Sequence, residues 1–549
     1  MNDLITITLG DLLDKTARDY GDRLAVKCTD KPYERTWAEF KAECDLFARG
    51  FYDMGIRKGD HVAIWATNEP EWLITLFATA KIGAVLVTVN TNYKIFEAEY
   101  LFHQSDAKCI VMTKGFKDSC YTDIINELCP SLRYCKNGVM ESEERLPALR
   151  SVVYIGHDEC PEGMTSWDDL KTRAGNVAPS IIDDIAKDLD PHEVINMQYT
   201  SGTTGFPKGV MLTHYNIINN GKCIGDCMKF TEEDKLCICV PLFHCFGLVL
   251  AVMACITHGT AMVPINYRPL DVLDALAKEK CTAVHGVPTM FIAMLEHPEF
   301  KNFSFPNLRT GIMAGTTCPV KVMQQVVDEM NMREITIVFG QTEASPGCTQ
   351  TTTGDSIDIR VSTVGRVLPH VEAKIVNPET GELLPPGVPG EFCARGYNIM
   401  RGYYKMPEET ARVIDDDGWL HTGDLATVDK DGYYMITGRI KDMIIRGGEN
   451  IYPMEIEEFI YTHPKVRDVQ VIGVPSKEYG EEVMACIIPK DGMTMTEEEI
   501  KEYVKSHMAR HKTPRYVTFM NSFPMTASGK IQKYKMREQA IKLLKIEEL

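Results

Sequence analysis

The chain has 549 residues, more than one ordinary hydrophobic core accommodates, and this length indicates roughly two to four domains. Its composition, 44% hydrophobic and 25% charged, is typical of a globular protein and excludes a largely disordered chain. The net charge of −18 argues against general nucleic-acid binding, although a few backbone N–H groups and lysines can still bind phosphate on an acidic protein.

The apolar runs and the cysteines bear on the cellular compartment. The longest apolar run, Gly247–Ile256, is about ten residues, whereas a membrane-spanning helix needs roughly twenty. The first residues lack the basic start and apolar stretch of a secretory signal. The 18 cysteines form no two Cys-x-x-Cys pairs and are interpreted as reduced core thiols. We therefore expect a cytoplasmic protein with no transmembrane segment.

The first part of the chain alternates helix and strand patterns. Leu9–Tyr20 has apolar residues at helical spacing, with Thr8 as a candidate N-cap. His61–Trp65 and Ala84–Val89 are predicted to be buried strands, with a helix over Glu71–Ile82 between them. This strand–helix–strand order predicts a parallel sheet flanked by helices.

Turn formers divide the middle of the chain. Residues 136–190 are rich in charge and turn formers and are predicted to form a surface segment. Ile195–Thr200 is predicted to be a strand that ends in a loop of Ser, Gly and Thr. From Val364 onwards, short alternating runs such as Glu372–Val376 and Gly390–Ala394 are separated by Pro/Gly turns. This pattern indicates a small β-rich subdomain.

After Gly438 the pattern predicts a compact α+β domain. Its predicted elements are a helix over Pro453–Tyr461, strands over Val469–Val474 and Val483–Ile488, a helix over Thr496–His507, a strand over Tyr516–Met520 and a last basic helix that begins near Lys530. The predicted fold is therefore α/β. It has an N-terminal domain over residues 1–438 with parallel-rich sheets, including the β-rich subdomain over about 364–438, and a C-terminal α+β domain over residues 443–549.

The segment Tyr199–Gly209 reads Tyr-Thr-Ser-Gly-Thr-Thr-Gly-Phe-Pro-Lys-Gly. Its glycines permit close approach of the backbone to a ligand, its hydroxyls donate to phosphate oxygens, and Lys208 adds a positive charge. The spacing differs from that of the Walker loop. Because the segment follows a predicted buried strand and ends in Pro-Lys-Gly, it is better explained as a phosphate-binding loop than as a flexible linker.

This loop resembles the signature of the adenylate-forming superfamily, which includes acyl-CoA synthetases, peptide-synthetase adenylation domains and beetle-type luciferases. The other motifs of the family follow in order over essentially the whole chain: Phe339–Glu343, Gly390–Gly396, Trp419–Asp424, Gly438–Asp442 and Pro524–Lys530. The run from Asp442 to Pro453 is most similar to medium-chain fatty acyl-CoA synthetases. The resemblance implies ATP-dependent ligation of a medium-chain, branched or alicyclic carboxylic acid to coenzyme A, through an acyl-adenylate, with release of AMP and pyrophosphate.

The resemblance also implies roles for single residues. Glu343 follows the strand-like run Ile335–Phe339 and is expected to be catalytic as a ligand of Mg²⁺, which prefers oxygen donors. Lys530 is expected to be the catalytic lysine that bridges the acyl carboxylate and the α-phosphate. His244 is expected to be catalytic as well, near the acyl carboxylate. The implied ATP-binding residues are Thr200, Ser201, Gly202, Thr203, Thr204, Gly205, Lys208, Gly315, Thr316, Phe339, Gly340, Gln341, Thr342, Asp424, Arg439 and Lys530.

Within that set, Phe339 and Gly340 are expected to flank the adenine, with Gln341 near the base and with Gly315 and Thr316 as the opposite adenine wall. Thr342 is expected at the α-phosphate, and Asp424 with Arg439 at the ribose. Coenzyme A is the expected co-substrate of the second half-reaction, and Gly447 and Gly448 are expected to leave room for its pantetheine arm. In this family the C-terminal domain rotates between the two steps, which makes residues 439–442, with Lys441, the expected hinge.

Three alternatives stay open at this point. An adenylating enzyme could load a carrier protein instead of coenzyme A, a luciferase-like oxygenase uses the same fold, and a nucleotide-binding protein could lack turnover. The chain ends in Glu547-Glu548-Leu549 and not in a peroxisomal Ser-Lys-Leu signal. The sequence leaves the preferred acid, peripheral membrane association and the oligomeric state open, with a homodimer as one option.

Overall fold

The computed structural model describes residues 3–135, 139–140, 143–156, 158–200, 207–315, 318–446, 449–526 and 531–544. The chain forms two compact units. The first comprises Met1–Val361, Gly365–Glu372 and Ala394–Leu420, and the second comprises Ser362–Val364, Ala373–Cys393 and His421–Leu549. The proposed hinge at residues 439–442 lies inside the second unit, and the domain boundary there stays a prediction. Within the described ranges, no helix is long and apolar enough to cross a membrane.

The strands up to residue 367 are β1 Leu24–Lys27, β2 Glu34–Thr36, β3 His61–Trp65, β4 Val85–Thr88, β5 Ala107–Met112, β6 Gly115–Phe116, β7 Ser119–Cys120, β8 Ser151–Tyr154, β9 Thr165–Ser166, β10 Val194–Thr200, β11 Lys208–Thr213, β12 Lys235–Ile238, β13 Ala261–Pro264, β14 Ala283–Gly286, β15 Thr310–Met313, β16 Glu334–Gly340, β17 Gly347–Gln350 and β18 Arg366–Val367. The later strands are β19 Val371–Val376, β20 Gly390–Gly396, β21 Gly402–Tyr403, β22 Leu420–Val428, β23 Tyr434–Arg439, β24 Ile444–Arg446, β25 Glu449–Ile451, β26 Val466–Ser476, β27 Gly480–Pro489 and β28 Tyr516–Phe519.

The helices are α1 Leu9–Tyr20, α2 Trp37–Asp53, α3 Pro70–Lys81, α4 Ile95–Gln104, α5 Tyr121–Leu128, α6 Trp167–Arg173, α7 Ser180–Ala186, α8 His214–Met228, α9 Cys245–Gly247, α10 Ala254–His258, α11 Pro269–Lys278, α12 Pro288–Leu295, α13 Val320–Glu329, α14 Ile357–Ser362, α15 Pro407–Ala411, α16 Pro453–Tyr461, α17 Glu497–Lys505 and α18 Lys533–Leu544. Between α9 and α10, Leu248–Met253 forms a π-helical segment.

Two large sheets organise the first unit. One has nine strands in the order β18-β17-β16-β15-β14-β12-β13-β1-β2, and the other has eight in the order β21-β11-β10-β4-β3-β5-β8-β9. The run from β13 through β12, β14 and β15 to β16 pairs in parallel throughout, as do β3, β4 and β5. Such strands are covered by helices on both faces and are therefore apolar along their length. The predicted α/β fold class is confirmed.

Helix α1 shows how closely local sequence signals match the structure. The Thr8 hydroxyl accepts a hydrogen bond from the Asp11 N–H at 3.1 Å, and the Asp11 carboxylate accepts one from the Thr8 N–H at 3.2 Å. This reciprocal capping satisfies two N–H groups that the first helical turn leaves without partners. Leu9, Leu12 and Leu13 are buried in the core. The predicted helix and its cap are confirmed.

One prediction about the middle of the chain is wrong. Strand β8 lies within the segment predicted to be on the surface, yet all four of its residues are buried. It pairs in parallel with β5 inside the eight-stranded sheet. The strand is only four residues long, and the charged residues on both sides of it dominate the composition of the segment. Composition over a long window therefore concealed a short core strand.

The second unit contains two smaller sheets. Four strands pair in the order β19-β20-β22-β23, and five strands form a sheet in which β24, β26 and β28 all pair with β27. Helices α16 and α17 contribute Ile456, Ile460, Ile500 and Val504 to the core of the latter sheet. The predicted α+β character of the C-terminal region is confirmed.

Candidate active site

The motif Phe339–Glu343 lies at the carboxyl end of β16, the edge at which parallel α/β sheets present ligand-binding groups. After the strand ends, Thr342–Ala344 forms a single 3₁₀ turn. The backbone oxygen of Glu343 accepts a hydrogen bond from the Met400 N–H at 2.9 Å, and its Oε1 accepts one from the Tyr403 hydroxyl at 2.8 Å. A distant segment of the first unit therefore fixes both the backbone and the side chain of Glu343.

Two glycines near this edge need the absence of a side chain. A Cβ at Gly340 would lie 1.7 Å from the carbonyl oxygen of Pro346, so the turn itself requires glycine there. Gly315 has a φ of +96°, in the region that favours glycine, and a Cβ would lie 3.0 Å from Val287 Cγ1. Close backbone packing thus accounts for Gly340, and backbone conformation accounts for Gly315. Thr316, predicted with Gly315 to be an adenine wall, lies outside the described residues.

His244 and Thr342 meet at one thiol. Cys245 Sγ lies 3.5 Å from His244 Nδ1 and 3.5 Å from Thr342 Oγ1. The Phe246 N–H donates to His244 Nδ1 at 3.1 Å, which assigns the ring hydrogen of the neutral tautomer to Nε2. Thr342 and Cys245 are buried, whereas His244 is half-buried. The structure therefore brings together two predicted residues that are about a hundred positions apart in sequence.

The predicted phosphate loop is described only at its ends. Strands β10 and β11 pair antiparallel, and their last pair in register is Thr200 with Lys208. Five predicted phosphate-binding residues between them lie outside the described residues: Ser201, Gly202, Thr203, Thr204 and Gly205. The two ends of the loop are thus held side by side by a ladder of backbone hydrogen bonds.

Lys208 contacts two residues that the sequence analysis missed. Its Nζ forms an ion pair with Glu409 and lies 4.9 Å from the centroid of the Tyr403 ring. The ion pair with Lys208 lowers the pKa of Glu409, and burial, together with the adjacent Glu343 charge, raises the pKa of Tyr403. Tyr403 therefore stays a neutral hydrogen-bond donor. No local spacing could reveal its contact with Glu343, because the two residues are 60 positions apart.

The predicted ribose-binding residues lie in the second unit. The register of β22 and β23 places Asp424 opposite Arg439, and Arg439 Nε lies 2.8 Å from Asp424 Oδ1. The Asp424 side chain is 5% exposed and that of Arg439 is 47% exposed. An ionised carboxylate has about four acceptor positions, so its chemistry suits it to accept hydrogen bonds from hydroxyl groups as well as from Arg439.

The remaining predicted residues are in the C-terminal part. Lys441 is exposed in the short 3₁₀ turn Ile440–Asp442. Gly447, Gly448 and Lys530 lie outside the described residues. Just before this glycine pair, Arg446 forms a two-pronged ion pair with Glu482, with Nε–Oε2 at 2.7 Å and an Nη2–Oε1 hydrogen bond at 2.9 Å.

Known proteins resemble this chain over its whole length. A family model described as AMP-binding enzyme matches residues 13–404, and one described as AMP-binding enzyme C-terminal domain matches residues 455–530. YngI of Bacillus subtilis (strain 168), named as an acyl-CoA synthetase, is 54% identical over 547 residues, which cover 100% of this chain and 99% of YngI.

A second relative and a solved structure extend the likeness. The mitochondrial medium-chain acyl-CoA ligase ACSF2 of Mus musculus is 40% identical over 552 residues, covering 99% of this chain and 89% of the relative. The crystal structure of ATP-bound MatB from Rhodopseudomonas palustris matches with a TM-score of 0.83 and 28% identity, covering 97% of this chain and 99% of that structure.

Proposed function

The chain belongs to the AMP-binding enzyme family and is an AMP-forming acyl-CoA synthetase, and on this premise we propose that it activates a medium-chain, branched or alicyclic carboxylic acid. Enzymes of this family use ATP and coenzyme A. The name of the ACSF2 relative supports the medium-chain assignment. The run Leu248–Ile256 directly follows the His244 segment and is buried and apolar throughout, which suits it to line an aliphatic acyl site.

The observation that carries the proposal is the meeting of His244 and Thr342 at the Cys245 thiol. An adenylating enzyme must hold a carboxylate next to an α-phosphate, although both are anionic. The Nε2–H of His244 and the hydroxyl of Thr342 are two neutral donors, carried by side chains that both contact the Cys245 thiol. We assign the acyl carboxylate to His244 and the α-phosphate to Thr342.

Glu343 is the proposed ligand of Mg²⁺. The site fits a hard cation, because it supplies a carboxylate oxygen with a phenol oxygen beside it. When bound, Mg²⁺ neutralises charge on the phosphates of ATP. Tyr403 serves as a positioning residue, since its hydroxyl donates to Glu343 Oε1 and so would hold in place the carboxylate that binds the cation.

In the first half-reaction, a carboxylate oxygen of the acid forms a bond to the α-phosphorus, and the bond to the pyrophosphate oxygen breaks. Lys530 bridges the carboxylate and the α-phosphate and stabilises the charge that develops. Lys208 and the hydroxyls of Thr200, Ser201, Thr203 and Thr204 hold the leaving phosphates, and the glycines of the loop, Gly202 and Gly205, allow close backbone approach. The remaining ATP contacts are those of Gly315, Thr316, Phe339, Gly340 and Gln341 with adenine and of Asp424 and Arg439 with ribose.

In the second half-reaction, the sulfur of coenzyme A forms a bond to the acyl carbon, its thiol proton is lost, and AMP leaves. We propose that Lys441 absorbs the backbone change of a domain rotation between the two steps. Gly447 and Gly448 then leave room for the pantetheine arm.

We also propose a cytoplasmic location, a role in fatty acid metabolism and a homodimer. Cell fractionation tests the location, growth on fatty acids tests the metabolic role, and analytical ultracentrifugation tests the homodimer.

A pyrophosphate-release assay across a panel of acids tests the substrate assignment. The panel runs from acetate to palmitate and includes benzoate and cyclohexanecarboxylate, each with MgATP and coenzyme A. We expect the highest kcat/KM for medium-chain or alicyclic acids, with a broad optimum because one methylene changes discrimination by only about 1–3 kcal/mol. A maximum at acetate or palmitate would contradict the assignment. Pyrophosphate release without any acyl-CoA would instead indicate loading of a carrier protein.

A further inference from the structure

Three side chains of metal-ligating types meet inside the second unit, on strands β20 and β22, and none of them has been assigned a role above. Among the described residues, one group of at least three His, Cys, Asp or Glu side chains has its ligand atoms within 4.8 Å of one another, and it consists of Glu391, Cys393 and His421. His421 Nδ1 lies 2.8 Å from Glu391 Oε2 and 3.5 Å from Cys393 Sγ. The half-reactions proposed above assign no role to any of these three groups.

The sheet explains why these atoms converge. Glu391 and Cys393 are two residues apart on β20, so their side chains point to the same face of the strand. His421 comes from the neighbouring strand β22. The Gly423 N–H donates to Glu391 Oε1 at 3.0 Å, and the Thr422 hydroxyl donates to the Phe392 backbone oxygen at 2.5 Å. These bonds fix the two strands and leave Glu391 Oε2 directed at His421.

The donor set selects one class of cation. A thiolate, an imidazole nitrogen and a carboxylate oxygen are typical ligands of Zn²⁺, whereas Mg²⁺ takes oxygen donors only. Ligands bound to tetrahedral zinc at about 2.0–2.3 Å lie roughly 3.5 Å apart, so the three atoms need only small shifts. The Cys393 and Glu391 side chains are buried, and that of His421 is 33% exposed, which gives solvent access to the fourth position.

We propose that Glu391 Oε2, Cys393 Sγ and His421 Nδ1 form a binding site for a thiophilic divalent cation, with Zn²⁺ as the expected ion. On binding, the S–H bond of Cys393 breaks, its electron pair forms the sulfur–metal bond, and the proton leaves to solvent. His421 binds through Nδ1 with its hydrogen on Nε2. Glu391 keeps the Gly423 hydrogen bond through its other oxygen. The site shares no residue with the proposed Mg²⁺ site and does not rest on the proposed acid substrate.

Cobalt spectroscopy on the wild-type protein tests the site directly. The full chain, stripped of metal with a chelator and kept reduced, is titrated with Co²⁺ and then with Zn²⁺. We expect a sulfur-to-cobalt charge-transfer band that saturates at one equivalent, together with visible bands of a tetrahedral ion, and displacement of both by Zn²⁺. The absence of a charge-transfer band, or an octahedral spectrum, would overturn the proposal.

Matched cysteine variants locate the site. Cys393→Ser removes the soft ligand, and Cys486→Ser removes another buried thiol of the same unit as the control. We expect Cys393→Ser to abolish the charge-transfer band and to weaken Zn²⁺ binding at least about tenfold, because even indirect metal contacts contribute that much. Cys486→Ser should bind like the wild type. Equal Zn²⁺ affinity and an unchanged band in Cys393→Ser would overturn the proposal.

A folding control keeps the result interpretable. If Cys393→Ser misfolds, as judged by circular dichroism, His421→Gln replaces it, since His421 is the least buried ligand. The wild-type titration stands independently of either variant. A wild-type protein that binds one Co²⁺ without the sulfur-to-cobalt band would assign the metal to other ligands and refute the Cys393 site.

Discussion

Two carboxylates on different units of the molecule are expected to contact ATP, and the structure holds them in different ways. Glu343 follows a parallel strand in the first unit and accepts a hydrogen bond from the neutral Tyr403 phenol. Asp424 lies on an antiparallel strand in the second unit and pairs with the Arg439 guanidinium. A phenol leaves the carboxylate charge uncompensated, whereas a guanidinium balances it. Glu343 is therefore suited to a cation, and Asp424 to neutral hydroxyl groups.

The largest expected effect is at Glu343. Glu343→Gln keeps the shape of the side chain but removes the charge that holds Mg²⁺, so we expect kcat to fall by about 10²–10³, or roughly 3–4 kcal/mol. Steady-state pyrophosphate release at saturating acid measures this. Glu329→Gln, at an exposed position on α13, is the matched control and should behave like the wild type. A change within about twofold at Glu343 would show that this carboxylate binds no metal.

A smaller effect is expected at Asp424, and it should appear in KM for ATP and not in kcat. Asp424→Asn removes an ionised acceptor of the ribose hydroxyls, so we expect KM for ATP to rise by about 10–100-fold, since hydrogen bonds to charged groups contribute about 1.5–3 kcal/mol. Initial rates over a range of ATP concentrations measure it. Asp491→Asn, whose side chain is 98% exposed in the same unit, provides the control. If kcat falls while KM stays constant, the contrast drawn between the two carboxylates is wrong.

Acid is expected to destabilise the first unit. Burial lowers the pKa of His214 to about 3 and that of His285 to about 4. The Leu9 N–H donates to His214 Nδ1. The Ile312 N–H donates to His285 Nδ1, and His285 Nε2 donates to the Leu250 oxygen. In both rings Nδ1 faces an N–H donor, so protonating Nδ1 would lose that hydrogen bond.

Because both pKa values lie below the unfolded value of about 6.5, the unfolded state binds more protons, and stability falls as pH drops below about 6.5. At pH 5 each histidine contributes about 2 kcal/mol to the loss. In the second unit, burial raises the pKa of Asp468 to about 6, which acts in the opposite direction because the folded state then binds the extra proton.

Tryptophan fluorescence during urea unfolding isolates the response of the first unit, since all 5 tryptophans belong to it. We expect a lower urea midpoint at pH 5 than at pH 7. His285→Gln should reduce the pH dependence by about half, whereas His103→Gln, at an exposed position on α4, should leave it unchanged. A urea midpoint that is independent of pH in the wild type would refute this assignment.

The smallest expected effect concerns Tyr403. Tyr403→Phe removes the hydroxyl that positions Glu343, so we expect the Mg²⁺ concentration for half-maximal activity to rise about fivefold, or roughly 1 kcal/mol. Tyr404→Phe is the matched control, because its hydroxyl donates to Asp106 at 2.8 Å instead. An Mg²⁺ requirement that responds equally to both changes would argue against a specific role for Tyr403.

Sequence patterns predicted local elements well where caps and prolines mark their ends. The predicted bounds of α1, β3 and α16 agree with the structure residue for residue, and Pro453 stands at the first position of α16. Strands β26 and β27 are longer than predicted, because their polar ends are paired with each other in the sheet. Hydrophobic periodicity contains no information about this backbone pairing, so the sequence prediction ended both strands too early.

The side-chain contacts around the candidate site could not be predicted from the sequence. Resemblance to a family indicated Glu343, but its Tyr403 partner depends on how the segment 400–403 packs against the turn that follows β16. The cluster of Glu391, Cys393 and His421 likewise depends on the order of strands in a sheet. Side chains that are 28 or more positions apart in sequence can be recognised as neighbours in space only when the order of the strands is known.

The most direct test of the central claim separates the two half-reactions with Lys530→Ala. Acid-dependent pyrophosphate release measures the first step, and conversion of supplied acyl-adenylate and coenzyme A to acyl-CoA measures the second. For the variant we predict a loss of about 10²–10³ in the first step and a rate for the second step close to that of the wild type. Equal loss in both steps, or a wild-type protein that makes no acyl-CoA from supplied acyl-adenylate, would contradict the account.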